Sequence, residues 1–164
     1  MSIERRATLE RRLWAWWVKG AAVARRMTVE AREAFLAGAH LGVLSVADDT
    51  GRAPLAVPMW YSFRPGGDVG FITARDSRKA ELIRKAGRVS LCVQTADYRY
   101  VSVEGPVVRI QDSVTVDERR ALAHRYLGPA DGDRYVEATA TETDRMTAFW
   151  MRPERWLATD MTSS

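Results

Sequence analysis

Val69-Gly-Phe-Ile-Thr-Ala-Arg-Asp-Ser-Arg-Lys-Ala-Glu-Leu-Ile-Arg-Lys-Ala-Gly87 sets three cations where a helix end disfavours them. Val69 to Ala74 reads as a short buried strand, and Asp76 or Ser77 is a natural N-cap for a helix that stops at Gly87. Arg75, Arg78 and Lys79 then crowd the positive end of the helix dipole, at roughly a few tenths of a kcal/mol each. No capping box relieves them, because the residue three after Ser77 is Ala80. Two readings follow. Either a bound phosphate or carboxylate neutralises the cluster through N–H groups, a hydroxyl and side-chain cations, or Asp76 caps the helix and the cations point into water.

Working outward, period-two patterning predicts strands on both sides of this segment. His40 to Ala47 is rich in Leu and Val, and Asp48-Asp49-Thr50-Gly51 turns it into a second strand, Ala53 to Phe63. Pro65-Gly66-Gly67 leads to Val69–Ala74. Beyond Gly87 come Val89 to Thr95, a turn at Ala96-Asp97, and Arg99 to Gln111. Near-continuous apolarity predicts an antiparallel barrel buried on both sides, split where Pro58 and Pro106 require an edge or a bulge. Helices flank it. One starts at Thr28 and ends at Gly38, and the capping box Thr115-Val116-Asp117-Glu118 opens another that Gly128-Pro129 stops near Leu127. A partly helical connection from Tyr135 to Thr143 leads to strands at Met146–Met151 and Trp156–Thr159.

The charge is concentrated at one end. Residues 1–26 hold seven Lys/Arg against two Asp/Glu, so the net +4 of the 164-residue chain belongs to this arm and the rest is slightly acidic. Apolar residues from Leu9 to Met27 fall at three- and four-residue spacings, which predicts a basic amphipathic helix over residues 1–27, followed by one domain over residues 28–164. Trp14, Trp16 and Trp17 on that helix suit packing on the domain or on a second subunit. They also suit a foot on anionic membrane, making residues 1–26 a candidate peripheral membrane contact. Nucleic-acid binding has the least support, because the basic residues form no patch continuing into the domain. Cys92 stands alone in an apolar run and reads as a core thiol, so no disulfide framework argues against a cytoplasmic location. No apolar stretch approaches the ~18 residues that span a bilayer.

Few residues carry chemistry by pattern alone. His40 and His124 lack Cys, Asp or Glu at ligand spacing, so no metal site is expected. Nucleophile-elbow, phosphate-loop and dinucleotide-binding glycine patterns are absent from the sequence. Trp60, Tyr61, Tyr98 and Tyr100 flank strand ends and could serve the core or wall a planar-ligand pocket.

The order of motifs is nevertheless distinctive. Val57-Pro58-Met59-Trp60-Tyr61-Ser62, Phe71-Ile72-Thr73, Ser77-Arg78-Lys79, Arg88-Val89-Ser90-Leu91 and Arg99-Tyr100-Val101-Ser102-Val103-Glu104-Gly105 together resemble the pyridoxamine 5′-phosphate oxidase-like flavin-binding split-barrel family. More narrowly they are similar to its actinobacterial flavin/deazaflavin oxidoreductases, many of which use coenzyme F420. The resemblance runs from about Thr28 to Asp160 and implies a mainly β protein with flanking helices, an antiparallel split β-barrel, working as a homodimer with two interfacial sites. It implies cofactor phosphate on Arg78 and Lys79, hydroxyl contacts from Thr73 and Ser77 with Ile72 and Ala74 alongside, and a ring against Val57, Pro58, Met59, Trp60, Tyr61 and Ser62. Tyr100 falls where many oxidases carry a flavin-contacting Gln.

Three departures disfavour vitamin B6 oxidation. Val57 replaces an Arg, Tyr100 replaces the Gln, and little chain follows Trp156 to supply the oxidases' Trp and Arg-x-His. The resemblance thus implies an F420-dependent oxidoreductase that passes hydride from reduced deazaflavin to a small organic acceptor. Its rivals are an FMN-dependent enzyme of the same fold and a non-catalytic flavin, F420 or tetrapyrrole binder. Hydride transfer is the cofactor's own chemistry, and Tyr61 and Tyr98 are the candidate proton donors.

Overall fold

The computed structural model describes residues 24–162. Its strands are β1 (Arg25–Arg26), β2 (Gly42–Val46), β3 (Leu55–Met59), β4 (Val69–Ala74), β5 (Arg88–Gln94), β6 (Arg99–Gln111), β7 (Met146–Met151) and β8 (Arg155–Asp160). Its helices are α1 (Val29–Ala37), α2 (Arg78–Ala86), α3 (Val116–Ala138) and a 3-10 segment, Ala140–Arg145.

The strands run antiparallel in the order β1-β8-β6-β5-β2-β3, with β7 bridging β6 to β4. Strand β6 is the hinge of this arrangement. Its first part pairs with β5 and β8, and from Val107 on, across a register shift between Val107 and Arg109, it pairs with β7. Pro106 stands at that change of partner and Pro58 lies on the edge strand β3, the two situations in which a missing N–H is tolerated. The sheet does not close with a continuous ladder. The chain just beyond β3 meets β4 at the isolated bridge Ser62–Gly70 and β3 itself forms no ladder with β4, which leaves a split barrel. Inside it Leu44, Tyr61, Phe71, Leu91, Val101, Val103 and Phe149 form a core with Leu36 of α1 and Ile83 of α2.

Three expectations need correction. The strands are not buried on both sides of the chain. β5 alternates strictly, and Val43, Cys92 and Leu157 face outward, so Cys92 is exposed rather than a core thiol. The second strand stops at Met59 instead of Phe63, because the Tyr61 N–H donates to the Tyr126 hydroxyl at 2.9 Å in place of a ladder carbonyl. The amino-terminal helix does not extend to Met27. Arg25–Arg26 pair with Asp160 and Thr159 as β1, and the remainder of that helix, residues 1–23, lies outside the described residues.

Caps behave as their chemistry dictates. Thr115 and Glu118 form the reciprocal capping box of α3, with bonds of 3.1 and 2.8 Å. Gly128, at φ 77° and ψ 170°, breaks α3, and Pro129 restarts it where an N–H is dispensable. The first part of α3 thus ends at Leu127, as its Gly-Pro signal implies, and a second part runs from Pro129 to Ala138, where only a partly helical connection from Tyr135 was expected.

Candidate functional site

Ser77, and not Asp76, caps α2. Its hydroxyl accepts from the Ala80 N–H at 3.2 Å and donates to the Ala74 carbonyl at 2.8 Å. The three cations part company there. Arg75 turns away to the carbonyls of Asp112, Asp144 and Met146, tying the end of β4 to the 3-10 segment. Arg78 pairs with Asp48 in the β2–β3 turn. The Asp48 carboxyl accepts from the Thr50 hydroxyl and N–H and, with Arg78 adding to these, is held down at about 2. Lys79 alone of the three has no oxygen partner among the described residues. Its Nζ lies 3.3 Å from the Met59 thioether sulfur, a weak acceptor, and half-burial lowers its pKa.

Met59 is also a wall of a groove of about 420 Å³. Pro58, Met59 and Trp60 leave β3 on one side, and Ile72, Thr73 and Ala74 of β4 form the floor, so six predicted site residues meet in one cavity. Helix α3 supplies the opposite wall with Arg119, Leu122 and Tyr135. Trp60 is clamped to that wall, stacked on Tyr126 at 5.1 Å and 4° and tilted against Tyr135 at 5.4 Å. The Tyr126 hydroxyl also lies 3.0 Å from the carbonyls of His40 and Tyr61, which fixes the bend at which β3 ends.

Other predicted residues fall elsewhere. Val57 packs against the core, and Ser62 lines a neighbouring groove of about 630 Å³ with Gly70, Arg109 and Trp150. Tyr61 is fully buried, its hydroxyl donates to the Leu36 carbonyl at 2.9 Å, and burial raises its pKa. Tyr98 is 74% exposed on the β5–β6 turn at φ 64°, and the Tyr100 hydroxyl accepts from Thr159 at 3.1 Å. None of these three tyrosines lines the groove. His124 sits 2.8 Å from Asp133 and His40 stacks on Phe35; among the described residues no group of three or more His, Cys, Asp or Glu gathers as a metal site. No helix of the described residues is long and apolar enough to cross a membrane.

Sequence reasoning missed the α3 wall. Its signal was a charged residue in buried phase. Arg119 lies four residues before Ala123, and both are buried.

The fold and site together are those of a split antiparallel barrel with a lysine-headed helix beside an apolar groove. The sequence profile described as pyridoxamine 5′-phosphate oxidase matches residues 28–160, and the chain belongs to that family. Among solved structures it is similar to an F420 reductase, at 23% identity and TM-score 0.63 over 76% of this chain and 94% of the other. A conserved hypothetical protein from Mycobacterium tuberculosis shares 23% identity and TM-score 0.67 over 82% of this chain and 86% of its own. General Stress Protein 26 from Bacillus anthracis shares 17% identity and TM-score 0.55, over 80% of this chain and 94% of its own. At these identities the structures establish the fold. No curated protein matches the chain significantly.

The donor set suits the family's cofactors. An ammonium that is half-buried and, among the described residues, meets only a thioether beside an apolar slot is complementary to a phosphate whose ring system enters that slot.

Proposed function

We propose that this chain is an oxidoreductase that binds coenzyme F420, in preference to FMN, in the groove between β3, β4 and α3, and serves hydride transfer to a small organic acceptor. The observation that carries cofactor binding here is Lys79, a desolvated cation with no carboxylate partner among the described residues, next to the groove. The preference for F420 over FMN follows the likeness of Pro58-Met59-Trp60-Tyr61 to the deazaflavin-using branch. Lys79 and Arg78 would hold the cofactor phosphate, with Ser77 and its flanking N–H groups at the head of α2. Pro58, Met59, Ile72, Thr73 and Ala74 would position the ring and exclude water. Hydride delivery is the chemistry the reduced deazaflavin supplies when bound. Tyr135, on the groove wall, is better placed than Tyr61 or Tyr98 to offer a proton to product.

The pairing registers support a homodimer. Pro58, Val43, Cys92, Ser102 and Leu157 align in one row across β3, β2, β5, β6 and β8 on the outer face, where Val43 and Leu157 are 41% and 57% exposed. A second copy would cover that row, and Val43→Glu with Leu157→Glu should convert a dimer to monomer in sedimentation. Residues 1–26 carry the membrane proposal. Co-sedimentation with anionic vesicles, lost when they are deleted, would support it.

The deciding test titrates purified protein with F420 and FMN by fluorescence. Tighter F420 binding, with oxidation of reduced F420 by an activated enone, is the expected result. FMN binding alone would move the assignment to the FMN-dependent enzymes, and binding of F420 without turnover across an acceptor panel would make it a carrier.

A further inference from the structure

We propose that Arg119 is a specificity-determining residue that selects acceptors carrying a carboxylate. This rests on the oxidoreductase reading and names the class of its substrate.

Arg119 is only 5% exposed, yet it lines the groove. Its guanidinium donates to the Thr139 carbonyl at 3.0 Å, to the Thr139 hydroxyl at 2.6 Å and to the Thr143 hydroxyl. All three acceptors are neutral, and among the described residues no carboxylate forms an ion pair with it. The next residue shows that this is not a local shortage of acid. Arg120 reaches both Asp117 and Asp133, at 2.6 and 3.2 Å. A guanidinium has five N–H donors, so two of those on Arg119 have no acceptor among the described residues.

Thr139 caps the carboxyl end of α3 and offers that end's partial negative charge, about half a unit, which leaves part of a buried cation uncompensated among the described residues. The charge is explained by an anion that enters the groove. The planar fork matches a carboxylate with two parallel bonds, which a lysine could not offer. Such an anion could belong to the acceptor or to the cofactor. The cofactor's phosphate already has cations on α2, whereas Arg119 stands on α3, held by Thr139 and Thr143, so the structure favours the acceptor.

The test uses the full-length protein with reduced cofactor and a matched pair of acceptors, monomethyl fumarate (an anion) and dimethyl fumarate (neutral). Wild type should prefer the anion in kcat/KM. Arg119→Gln should raise KM for monomethyl fumarate by about tenfold or more beyond whatever change it makes for dimethyl fumarate. Arg119→Lys, which keeps charge without the fork, should fall between. Independently of turnover, monomethyl fumarate should raise the thermal midpoint of wild type and not that of Arg119→Gln, and cofactor affinity should be equal in all three proteins. Equal treatment of the two esters by wild type, no anion-induced shift, or weakened cofactor binding in Arg119→Gln would each overturn the proposal. Absence of cofactor binding by wild type would instead overturn the oxidoreductase reading. Arg119→Lys supplies the comparison should Arg119→Gln fail to fold.

Discussion

Replacing Lys79 with methionine separates two opposite effects of one charge. With cofactor bound, the ammonium contributes a charge-assisted hydrogen bond to phosphate of about 1.5–3 kcal/mol, so Lys79→Met should weaken F420 and FMN binding by about 10- to 150-fold. Without cofactor the sign reverses. The ammonium is partly desolvated beside the Met59 sulfur at 3.3 Å, and its pKa is lowered by burial. In the interval between that lowered value and the usual ~10.4, the unfolded chain binds more protons than the folded one, so stability rises with pH there. Lys79→Met removes that slope and should leave the free protein as stable as wild type or more so. The assay is a fluorescence titration with each cofactor, paired with thermal unfolding of the free protein from neutral pH upward. Arg78→Met is the control and should lose less, since Arg78 already has Asp48 as partner. Cofactor affinity unchanged within about twofold in Lys79→Met would refute the phosphate site, because a contact worth less than about 0.4 kcal/mol cannot anchor a phosphate.

Three further outcomes are expected. Asp48, held at about 2, should stabilise the turn and α2 relative to Asp48→Asn at every pH above ~4. That advantage should vanish as the pH falls through about 2, which thermal unfolding of the two proteins would follow. Gly105→Ala would place a Cβ 1.7 Å from the Arg152 carbonyl oxygen, a clash between two backbones, and should lower stability in urea by about 3 kcal/mol or more. Tyr126→Phe leaves the Tyr61 N–H without its 2.9 Å acceptor and should lose about 1–3 kcal/mol in urea unfolding while keeping the Trp60 stack and its fluorescence.

Local chemistry made much of the fold legible. Val69–Ala74, Arg99–Gln111 and Met146–Met151 are strands with the bounds that their sequence implies, and Thr28, Ser77, Thr115 and Gly87 cap helices for the reasons their side chains or φ supply. The end of β3 was not legible, because the hydroxyl that captures the Tyr61 N–H comes from 65 residues away. Alternation of burial was hidden for a related reason. Val43 and Leu157 are as apolar as core residues, so composition could not say that they face outward. Around α2 the sequence located the cations but not their partners. Arg78 and Arg75 are claimed by Asp48 and by distant carbonyls, contacts without local signature, which left Lys79 as the one cation of the three without an oxygen partner among the described residues. Helix α3 carried the most hidden information, since Arg119 and Tyr135 reach the groove only because Gly128 redirects the chain between them.

The partner exchange along β6 has a consequence for biosynthesis. As the nascent chain leaves the ribosome, β5 can zip onto β6 at once, but the other edge of β6 waits for β7 and β8, some 35 to 60 residues later. During that interval a bare strand edge is exposed to other nascent chains. Slowing translation between α3 and β8 should therefore raise the aggregated fraction more than the same pause placed before β5.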